Sequence, residues 1–366
     1  MSRFARPEVR ALHAYTLDLS PCRFKLDQNE VPWELPRRIK EEVARRLVDR
    51  QWARYPDFHA ERLRERLAEK HTWTPDGVLV GNGSNELLAA TMAAVGGPGR
   101  EILGLAPSFG LYPVFALQSG ARYRAVGPRG DLALPTEELE LEIDRDPRRP
   151  VLVASPNNPT GEAIEPATIE RWAAKLAAAD APLLLDNAYG EFCRHDYRPL
   201  LASCPNLVIF RTFSKAWSLA GLRLGYLLAA PELVSEIVKV KLPYNLGQAA
   251  AIAGELALDN AALVERRVRL LVARRAQWRA TLETSQMEVF ASEGNFLLVR
   301  NEKQKSLLVK GLLAERGIRV RDVSAGPGLE GCLRFSVGTG QALRAVQQVL
   351  GGPRSFTESL SLQEPR

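Results

Sequence analysis

The chain of 366 residues has few of the residues that build disulfide frameworks and metal sites. It contains only four cysteines and four histidines. The cysteines are Cys22, Cys193, Cys204 and Cys332, and no two of them have C-x-x-C spacing. We therefore expect neither a disulfide framework nor a metal site, and reduced thiols in a cytoplasmic protein are the simplest interpretation.

The sequence also lacks a long apolar run and a strong excess of charge. No stretch approaches the roughly 18 consecutive apolar residues that predict a membrane helix. The first twenty residues have no continuous apolar core of the kind found in signal peptides. The 49 basic and 43 acidic residues give a net charge of +6 and are interleaved. This pattern favours a soluble protein over a nucleic-acid or membrane partner, although a slight basic excess also suits anionic ligands.

Short apolar runs alternate with helical patterns between residues 78 and 230. The runs are nearly free of polar residues, which is typical of strands buried on both faces. They are Val78–Val80, Ile102–Leu105, Val151–Val153, Leu183–Leu185, Leu207–Phe210 and Tyr226–Leu228. Strands that alternate with helices predict an α/β fold, with a mainly parallel sheet covered by helices on both faces.

The pattern changes after residue 250. An amphipathic pattern over residues 250–280 predicts one long helix, and short strands at 295–299 and 332–337 predict a smaller α+β domain. We divide the chain into an N-terminal arm contributing to the small domain (1–40), a large cofactor-binding domain (41–250) and the small domain (251–351). Residues 352–366, rich in Pro, Ser and Glu, are expected to form a disordered tail.

Four of the apolar runs lead into polar segments. These segments are Gly81–Glu86, Ser155–Gly161, Asp186–Tyr189 and Arg211–Lys215. In open α/β sheets, ligands bind beyond the carboxyl ends of the strands, so we expect these residues to lie on one rim of one sheet.

Each polar feature has a structural and a chemical interpretation. The turn at Gly81–Glu86 is either an ordinary capped loop or a phosphate site at a helix N-terminus. Asp186 is either a helix N-cap or the partner of a protonated pyridine nitrogen. Lys215 lies between apolar segments, where a Schiff base would remove the cost of burying its charge. Arg223, near two glycines, suits either phosphate binding or a structural ion pair.

These motifs, in this order, resemble those of the fold-type I aminotransferases. The four motifs are Ser-Pro-Asn-Asn-Pro-Thr-Gly from Ser155, Asp-x-x-Tyr from Asp186, Ser-Lys at Ser214 and Gly-Leu-Arg-x-Gly from Gly221. Further stretches are similar to histidinol-phosphate aminotransferases: 6–10, 25–30, 54–57, 80–84, 211–216, 295–300 and 332–338. The resemblance implies a mainly parallel, seven-stranded large-domain sheet, pyridoxal 5′-phosphate (PLP) as cofactor, and a homodimer.

The resemblance also implies roles for individual residues. Lys215 would carry PLP and move the proton, and Asp186 would keep the ring nitrogen protonated. Asn158 and Tyr189 would bond the ring hydroxyl oxygen, and Phe109 would stack on the ring. The cofactor phosphate would be surrounded by Ser84, Asn85, Thr212, Ser214 and Arg223, with Tyr55 reaching it from the partner subunit.

Arg334 is the expected substrate anchor. Leu333, Phe335 and Val337 alternate with it along a strand, so its side chain should point away from the apolar face. By resemblance, one guanidinium would bind the phosphate of the donor and, in the other half-reaction, the carboxylate of 2-oxoglutarate. The other residues expected to face substrate are Arg321, Tyr15 and Asn29. The segment 29–36 departs from the family pattern at a place expected to line the substrate pocket.

The activity implied is a ping-pong, PLP-dependent amino transfer in histidine biosynthesis. It would link glutamate and 2-oxoglutarate with L-histidinol phosphate and imidazole acetol phosphate. The same scaffold also suits an aromatic or other amino-acid aminotransferase, or a threonine-phosphate decarboxylase. A non-catalytic PLP-binding regulator module is the alternative from another class. Such a module would normally carry an added DNA-binding domain, for which the segment before the first motif is too short.

Overall fold

The computed structural model describes residues 4–14 and 16–351. The strands are β1 Phe24–Leu26, β2 Val78–Gly81, β3 Glu101–Leu105, β4 Arg122–Val126, β5 Val151–Ala154, β6 Leu183–Asp186, β7 Leu207–Thr212, β8 Gly225–Leu228, β9 Glu288–Val289, β10 Phe296–Arg300, β11 Ile318–Asp322 and β12 Cys332–Ser336. The helices are α1 Pro7–Arg10, α2 Arg37–Val48, α3 Glu61–His71, α4 Ser84–Val95, α5 Tyr112–Ser119, α6 Thr136–Arg145, α7 Pro166–Ala177, α8 Pro231–Val240, α9 Gln248–Asp259, α10 Ala261–Thr284, α11 Lys303–Glu315 and α12 Gly340–Leu350. Within this part of the chain, no helix has both the length and the apolar character needed to cross a membrane.

The larger sheet confirms the predicted α/β architecture. Its seven strands have the order β2-β8-β7-β6-β5-β3-β4, and only β8 runs antiparallel to its neighbours. All six strands predicted from apolar runs are present. The seventh, β4, was not predicted because it is an edge strand whose Arg122 and Arg124 face solvent and interrupt its apolar pattern.

Helices on both faces of the larger sheet bury its strands. Successive side chains of a strand point to opposite faces, so Leu183 and Leu185 enter one core cluster while Leu184 enters another. Helices α4, α5 and α8 cover the second cluster, whereas α6, α7, α9 and α10 pack on the first. Burial on both faces leaves only the strand ends for polar side chains.

The smaller sheet takes strands from both ends of the chain. Its order is β1-β11-β12-β10-β9, in which β1 pairs with β11 in parallel and the other pairs are antiparallel. The pairing of β1 agrees with an N-terminal arm that contributes to a small domain. The domain bounds themselves stay a prediction, and the expected tail at 352–366 lies outside the described residues.

The prediction of a single long helix over residues 250–280 is wrong. The structure has α9 and α10 instead, separated at Asn260, which has φ −111° and ψ 27°. The Asn260 side chain donates a hydrogen bond to the carbonyl of Leu256 at 2.8 Å. Asparagine commonly competes in this way for helical backbone groups. The apolar periodicity continues on both sides of Asn260, so the pattern alone did not reveal the break.

Candidate active site

A cavity of about 520 Å³ lies at the carboxyl ends of the central strands. It collects predicted residues from seven separate segments of the chain: Ser84, Asn85, Phe109, Asn158, Asp186, Tyr189, Thr212, Ser214, Lys215, Arg223 and Arg334. The parallel direction of β5, β6 and β7 explains this convergence, because their carboxyl ends meet on the same rim.

One end of the cavity can hold a phosphate group. Helix α4 begins at Ser84, and its N-cap Gly83 has no side chain to cap the first backbone N–H groups. A Cβ atom at Gly83 would lie 2.5 Å from Nη2 of Arg223, so glycine lets the guanidinium approach the helix end. Arg223, itself at φ 53°, donates to Oγ of Ser214 at 3.1 Å. This arrangement favours the phosphate-binding interpretation of the Gly81–Glu86 turn.

Asp186 places a buried carboxylate in the lining of the same cavity. Its Oδ2 accepts a hydrogen bond from the Tyr112 hydroxyl at 2.8 Å, and its Oδ1 accepts one from the Ala188 N–H at 3.1 Å. Burial raises the pKa of Asp186, and the two hydrogen bonds and the charge of Lys215 oppose that rise. Burial and the Asp186 charge also raise the pKa of Tyr112 well above its usual value, so its hydroxyl remains a donor.

Lys215 lines the same cavity and is half-buried. Its Nζ donates to the carbonyl oxygen of Gln28 at 2.7 Å and lies 5.8 Å from the centroid of the Tyr189 ring. Burial lowers the pKa of Lys215 to about 7, and the charge of Arg334 contributes in the same direction. A large fraction of this amine is therefore neutral and nucleophilic near neutral pH.

Arg334 enters the cavity from the smaller sheet. Its Nη1 donates to Oδ1 of Asn158 at 2.5 Å, and its Nη2 donates to the carbonyl oxygen of Asp27 at 2.6 Å. The guanidinium thus bridges the loop after β5 and the end of β1. Arg334 lines the cavity, and β12 is buried on both faces rather than on the one apolar face expected from the alternation.

Comparison with known proteins identifies the family of the chain. The family model described as aminotransferase class I and II matches residues 23–350. The chain belongs to the class I and II aminotransferases. It is 38% identical over 350 residues to "Histidinol-phosphate aminotransferase 1" of Carboxydothermus hydrogenoformans. That alignment covers 95% of this chain and 98% of the relative.

Solved structures show the same aminotransferase fold. The histidinol-phosphate aminotransferase from Sinorhizobium meliloti in complex with pyridoxal-5′-phosphate aligns with a TM-score of 0.84 at 22% identity, over 96% of this chain and 98% of that one. The L-threonine-O-3-phosphate decarboxylase from Porphyromonas gingivalis aligns with a TM-score of 0.76 at 22% identity, over 90% and 98%. These likenesses confirm the predicted fold-type I architecture.

Two of the predicted substrate residues of this aminotransferase lie outside the cavity lining. Asn29 is fully buried, and its Nδ2 donates to the Tyr189 hydroxyl at 2.9 Å. Arg321 is the register partner of Arg334 on the neighbouring strand, so both side chains leave the same face of the sheet. Its Nη1 donates to the carbonyl oxygen of Thr16 at 3.5 Å. Tyr15, the third, lies outside the described residues.

Tyr55 and the segment 29–36 do not line the cavity either. Tyr55 is 78% exposed and stacks on Tyr244 with ring centroids 4.3 Å apart. It lines a separate groove rather than the cavity that contains Lys215. Trp33 packs beside the guanidinium groups of Arg267 and Arg274. No residue of segment 29–36 lines the cavity, so the expectation that this departure reshapes the pocket wall is wrong for the described chain.

Several residues of the aminotransferase site were missed from the sequence, among them Tyr112, Gln28 and Leu17. Tyr112 hydrogen-bonds Asp186, the carbonyl of Gln28 accepts from Lys215, and Leu17 lines the cavity. Tyr112 follows the carboxyl end of β3, and this position on the rim was the one available signal for it. Gln28 acts through its backbone, and Leu17 lies in an irregular segment, so their side-chain types gave no signal.

The lowered pKa of Lys215 can be measured by its reactivity. In the ligand-free protein, labelling of Lys215 by an amine-reactive reagent, followed by mass spectrometry, should have its pH midpoint near 7. Denatured protein should show the ordinary lysine value of about 10.4. Arg334→Met should move the midpoint upward, because it removes the second cause of the shift. Equal midpoints in folded and denatured protein would contradict the geometry described.

Proposed function

We propose that this chain is a PLP-dependent aminotransferase that acts on L-histidinol phosphate. It would transfer an amino group between glutamate/2-oxoglutarate and L-histidinol phosphate/imidazole acetol phosphate, a reaction of histidine biosynthesis. The observation that carries the proposal is a single cavity that Lys215 shares with a phosphate site at Arg223 and a second guanidinium at Arg334. The 38% identical relative named for this activity supports the choice of substrate.

The donor set of the cavity fits PLP. The α4 N-terminus, Ser214 and Arg223 suit its phosphate, and the buried Asp186 carboxylate suits a protonated ring nitrogen. Phe109 and Ala188 supply apolar surface in the same cavity. When bound, PLP supplies a carbonyl that takes up the substrate's amino group and a ring that stabilises negative charge at the substrate carbon.

The side chains of the protein would position the cofactor and the substrate and would transfer the protons that the reaction needs. The Nζ atom of Lys215 would first hold the cofactor and then remove the proton from the amine-bearing carbon of the substrate. Asp186 would keep the ring nitrogen protonated, helped by the hydrogen bond from Tyr112, which favours its charged form. Tyr189 and Asn158 would bind the ring oxygen, while Asn29 fixes the Tyr189 hydroxyl.

A phosphorylated substrate suits the basic residues that the smaller sheet carries beside Arg334, of which Lys25 is ion-paired with Glu30 and Arg319 with Asp27. Arg334 and Arg321 are register partners, and Lys25 and Arg319 are partners on the adjacent strand pair. Four basic residues therefore lie on one face of the smaller sheet. The phosphate of histidinol phosphate carries more charge than a carboxylate, so we assign it to Arg334 and Arg321 together. Arg334 would also bind a carboxylate of glutamate.

A threonine-phosphate decarboxylase remains the competing function on this scaffold. Its substrate would present the same phosphate to Arg334, and a decarboxylase shares the fold at 22% identity. The higher identity to the histidinol-phosphate relative favours transamination. The two functions differ in products, because decarboxylation releases carbon dioxide and transamination does not.

We also propose that the enzyme is a homodimer with a shared active site. Tyr55 does not line the cavity of its own chain, and it stacks on Tyr244 at the surface. Trp52 (73% exposed) and Leu242 (69% exposed), close to Tyr55 and Tyr244 in the sequence, are exposed as well. Exposed apolar surface of this kind favours a protein–protein contact. A second copy docked there would allow Tyr55 to reach the cofactor phosphate of its partner.

We place the protein in the cytoplasm, and its four free cysteines agree with that compartment.

The visible absorbance of the PLP-loaded protein tests the proposed activity. We expect a visible band that L-histidinol phosphate removes in the absence of any keto acid and that 2-oxoglutarate restores. Lys215→Ala should abolish both the band and turnover. A band that responds to phosphothreonine with release of carbon dioxide, but not to histidinol phosphate, would establish the decarboxylase instead.

Substitutions of the two register-paired arginines test the substrate anchor. Arg334→Ala should weaken both half-reactions, by about 100-fold or more in kcat/KM, because a charge-assisted bidentate contact is lost from each. Arg321→Ala should affect the histidinol-phosphate half-reaction more than the glutamate half-reaction. Steady-state kinetics with each substrate varied would show this difference. A loss confined to one substrate in Arg334→Ala would contradict the shared anchor.

Mixed dimers test whether Tyr55 acts in the partner's site. Tyr55→Ala and Lys215→Ala should each be poorly active alone. If Tyr55 serves the partner, a mixed dimer contains one site with both residues intact, and activity should recover to about a quarter of the wild-type value after random subunit exchange. Size-exclusion chromatography would verify the exchange. Exchanged dimers without recovery would argue that Tyr55 serves its own chain or none.

A further inference from the structure

A buried ion pair lies behind the active-site cavity, on the other side of β7. Arg211 is 7% exposed, and its Nη2 lies 2.8 Å from Oε1 of Glu191. Arg211 lines a second cavity, whereas its neighbour Thr212 lines the first one. Neither member of the pair takes part in the proposed chemistry, but Arg211 lies on β7, the strand that leads to Lys215.

Glu191 joins the two loops that carry the proposed catalytic groups. Besides pairing with Arg211, its Oε1 accepts a hydrogen bond from Nε1 of Trp217 at 2.9 Å. Glu191 lies five residues after Asp186, and Trp217 lies two residues after Lys215. The carboxylate therefore fixes the segment after β6 against the segment after β7.

Arg211 extends the connection to a third loop. Its Nη1 donates to Oδ1 of Asn187 at 2.7 Å, and Nδ2 of Asn187 donates to the carbonyl oxygen of Ser155 at 2.5 Å. The segment from Ser155 also carries Asn158, which contacts Arg334. A Cβ atom at Gly190 would lie 2.1 Å from the Asn187 oxygen, so only glycine lets this network close.

The surrounding groups leave Glu191 as the counter-charge of Arg211. His71 hydrogen-bonds Tyr226 at 2.8 Å, and burial together with nearby cations lowers the pKa of His71 to about 2, so its ring is neutral. Arg198 contacts His71 but pairs with the carboxylate of Asp196 at 2.7 Å. A buried charge pair is costly compared with apolar side chains of the same volume. Here the ion pair fixes the orientation of the Glu191 and Arg211 side chains relative to each other.

We propose that Glu191 and Arg211 are positioning residues that hold the Lys215 and Asp186 loops in register for amino transfer. The catalytic consequence rests on the proposed function, whereas the link between the loops rests on the contacts alone. A misplacement of catalytic groups by about 1 Å lowers rates by about 100-fold, so a device of this kind would act on kcat rather than on substrate binding.

The first test compares Glu191→Gln with a matched control. Glutamine keeps the shape of the side chain and an acceptor for Trp217 but removes the charge that fixes Arg211. We expect kcat to fall about 10- to 100-fold with KM roughly unchanged. In the cofactor-free protein, hydrogen–deuterium exchange should accelerate at residues 186–192 and 213–218 and stay unchanged elsewhere. Glu265→Gln, an exposed residue of the same second cavity, should change neither quantity.

A double substitution separates positioning from general stability. Arg211→Met with Glu191→Gln removes the unpaired buried charge, so thermal stability should recover relative to Glu191→Gln alone. The ionic link between residue 191 and β7 remains absent, so kcat should stay low. Recovery of kcat together with stability would overturn the proposal, because it would show that the pair only stabilises the fold.

A milder variant covers the case in which the double variant does not fold. Trp217→Phe retains the ion pair and removes only the indole N–H donor to Glu191. It should lower kcat several-fold and accelerate exchange at 213–218. Unchanged kcat and unchanged exchange in Trp217→Phe would count against the link. If wild-type protein bound no PLP, the proposed function would fail, while the exchange comparison would still decide whether Glu191 joins the loops.

Discussion

A lysine amine shares one cavity with two guanidinium groups that both act on its pKa, and the chemistry of the site depends on that arrangement. Burial and the charge of Arg334 lower the pKa of Lys215, with Arg223 acting in the same direction. The same two arginines suit the anionic ends of cofactor and substrate. The groups that would bind phosphate therefore also keep the lysine neutral enough to react, so anion binding and nucleophile activation are coupled.

The sheet topology makes this coupling possible. Arg223 follows β7 and precedes β8 in the larger sheet, whereas Arg334 lies on β12 of the smaller sheet. Arg334 bridges the two by hydrogen bonds to Asn158 and to the backbone of Asp27. Behind the cavity, Glu191 and Arg211 link the loops that carry Asp186 and Lys215. Arg334 thus holds the cavity side of the rim, and Arg211 holds the side behind β7.

Local sequence signals located the larger sheet and most of the proposed site. Apolar runs marked its central strands because strands buried on both faces exclude polar residues. The edge strand β4 escaped this rule, and the break at Asn260 was hidden because apolar periodicity continues through it. Tyr112 was missed because its role depends on a contact with Asp186, 74 residues away. Arg321 pairs in register with Arg334 and Asn29 contacts Tyr189, but neither lines the cavity, so their roles toward substrate stay a prediction.

The sequence by itself determined the chemistry of the rim: a lysine, a carboxylate and an arginine, each directly after an apolar strand or turn. This was possible because parallel strands bring their carboxyl ends together whatever the loops do. Tertiary structure alone decided which side chains meet across the chain. The approach of Arg334 to Asn158, the lowered pKa of Lys215 and the Glu191 link all depend on burial and on distances between remote segments. Neither the spacing of residues in the sequence nor its composition determines burial or the distances between remote segments.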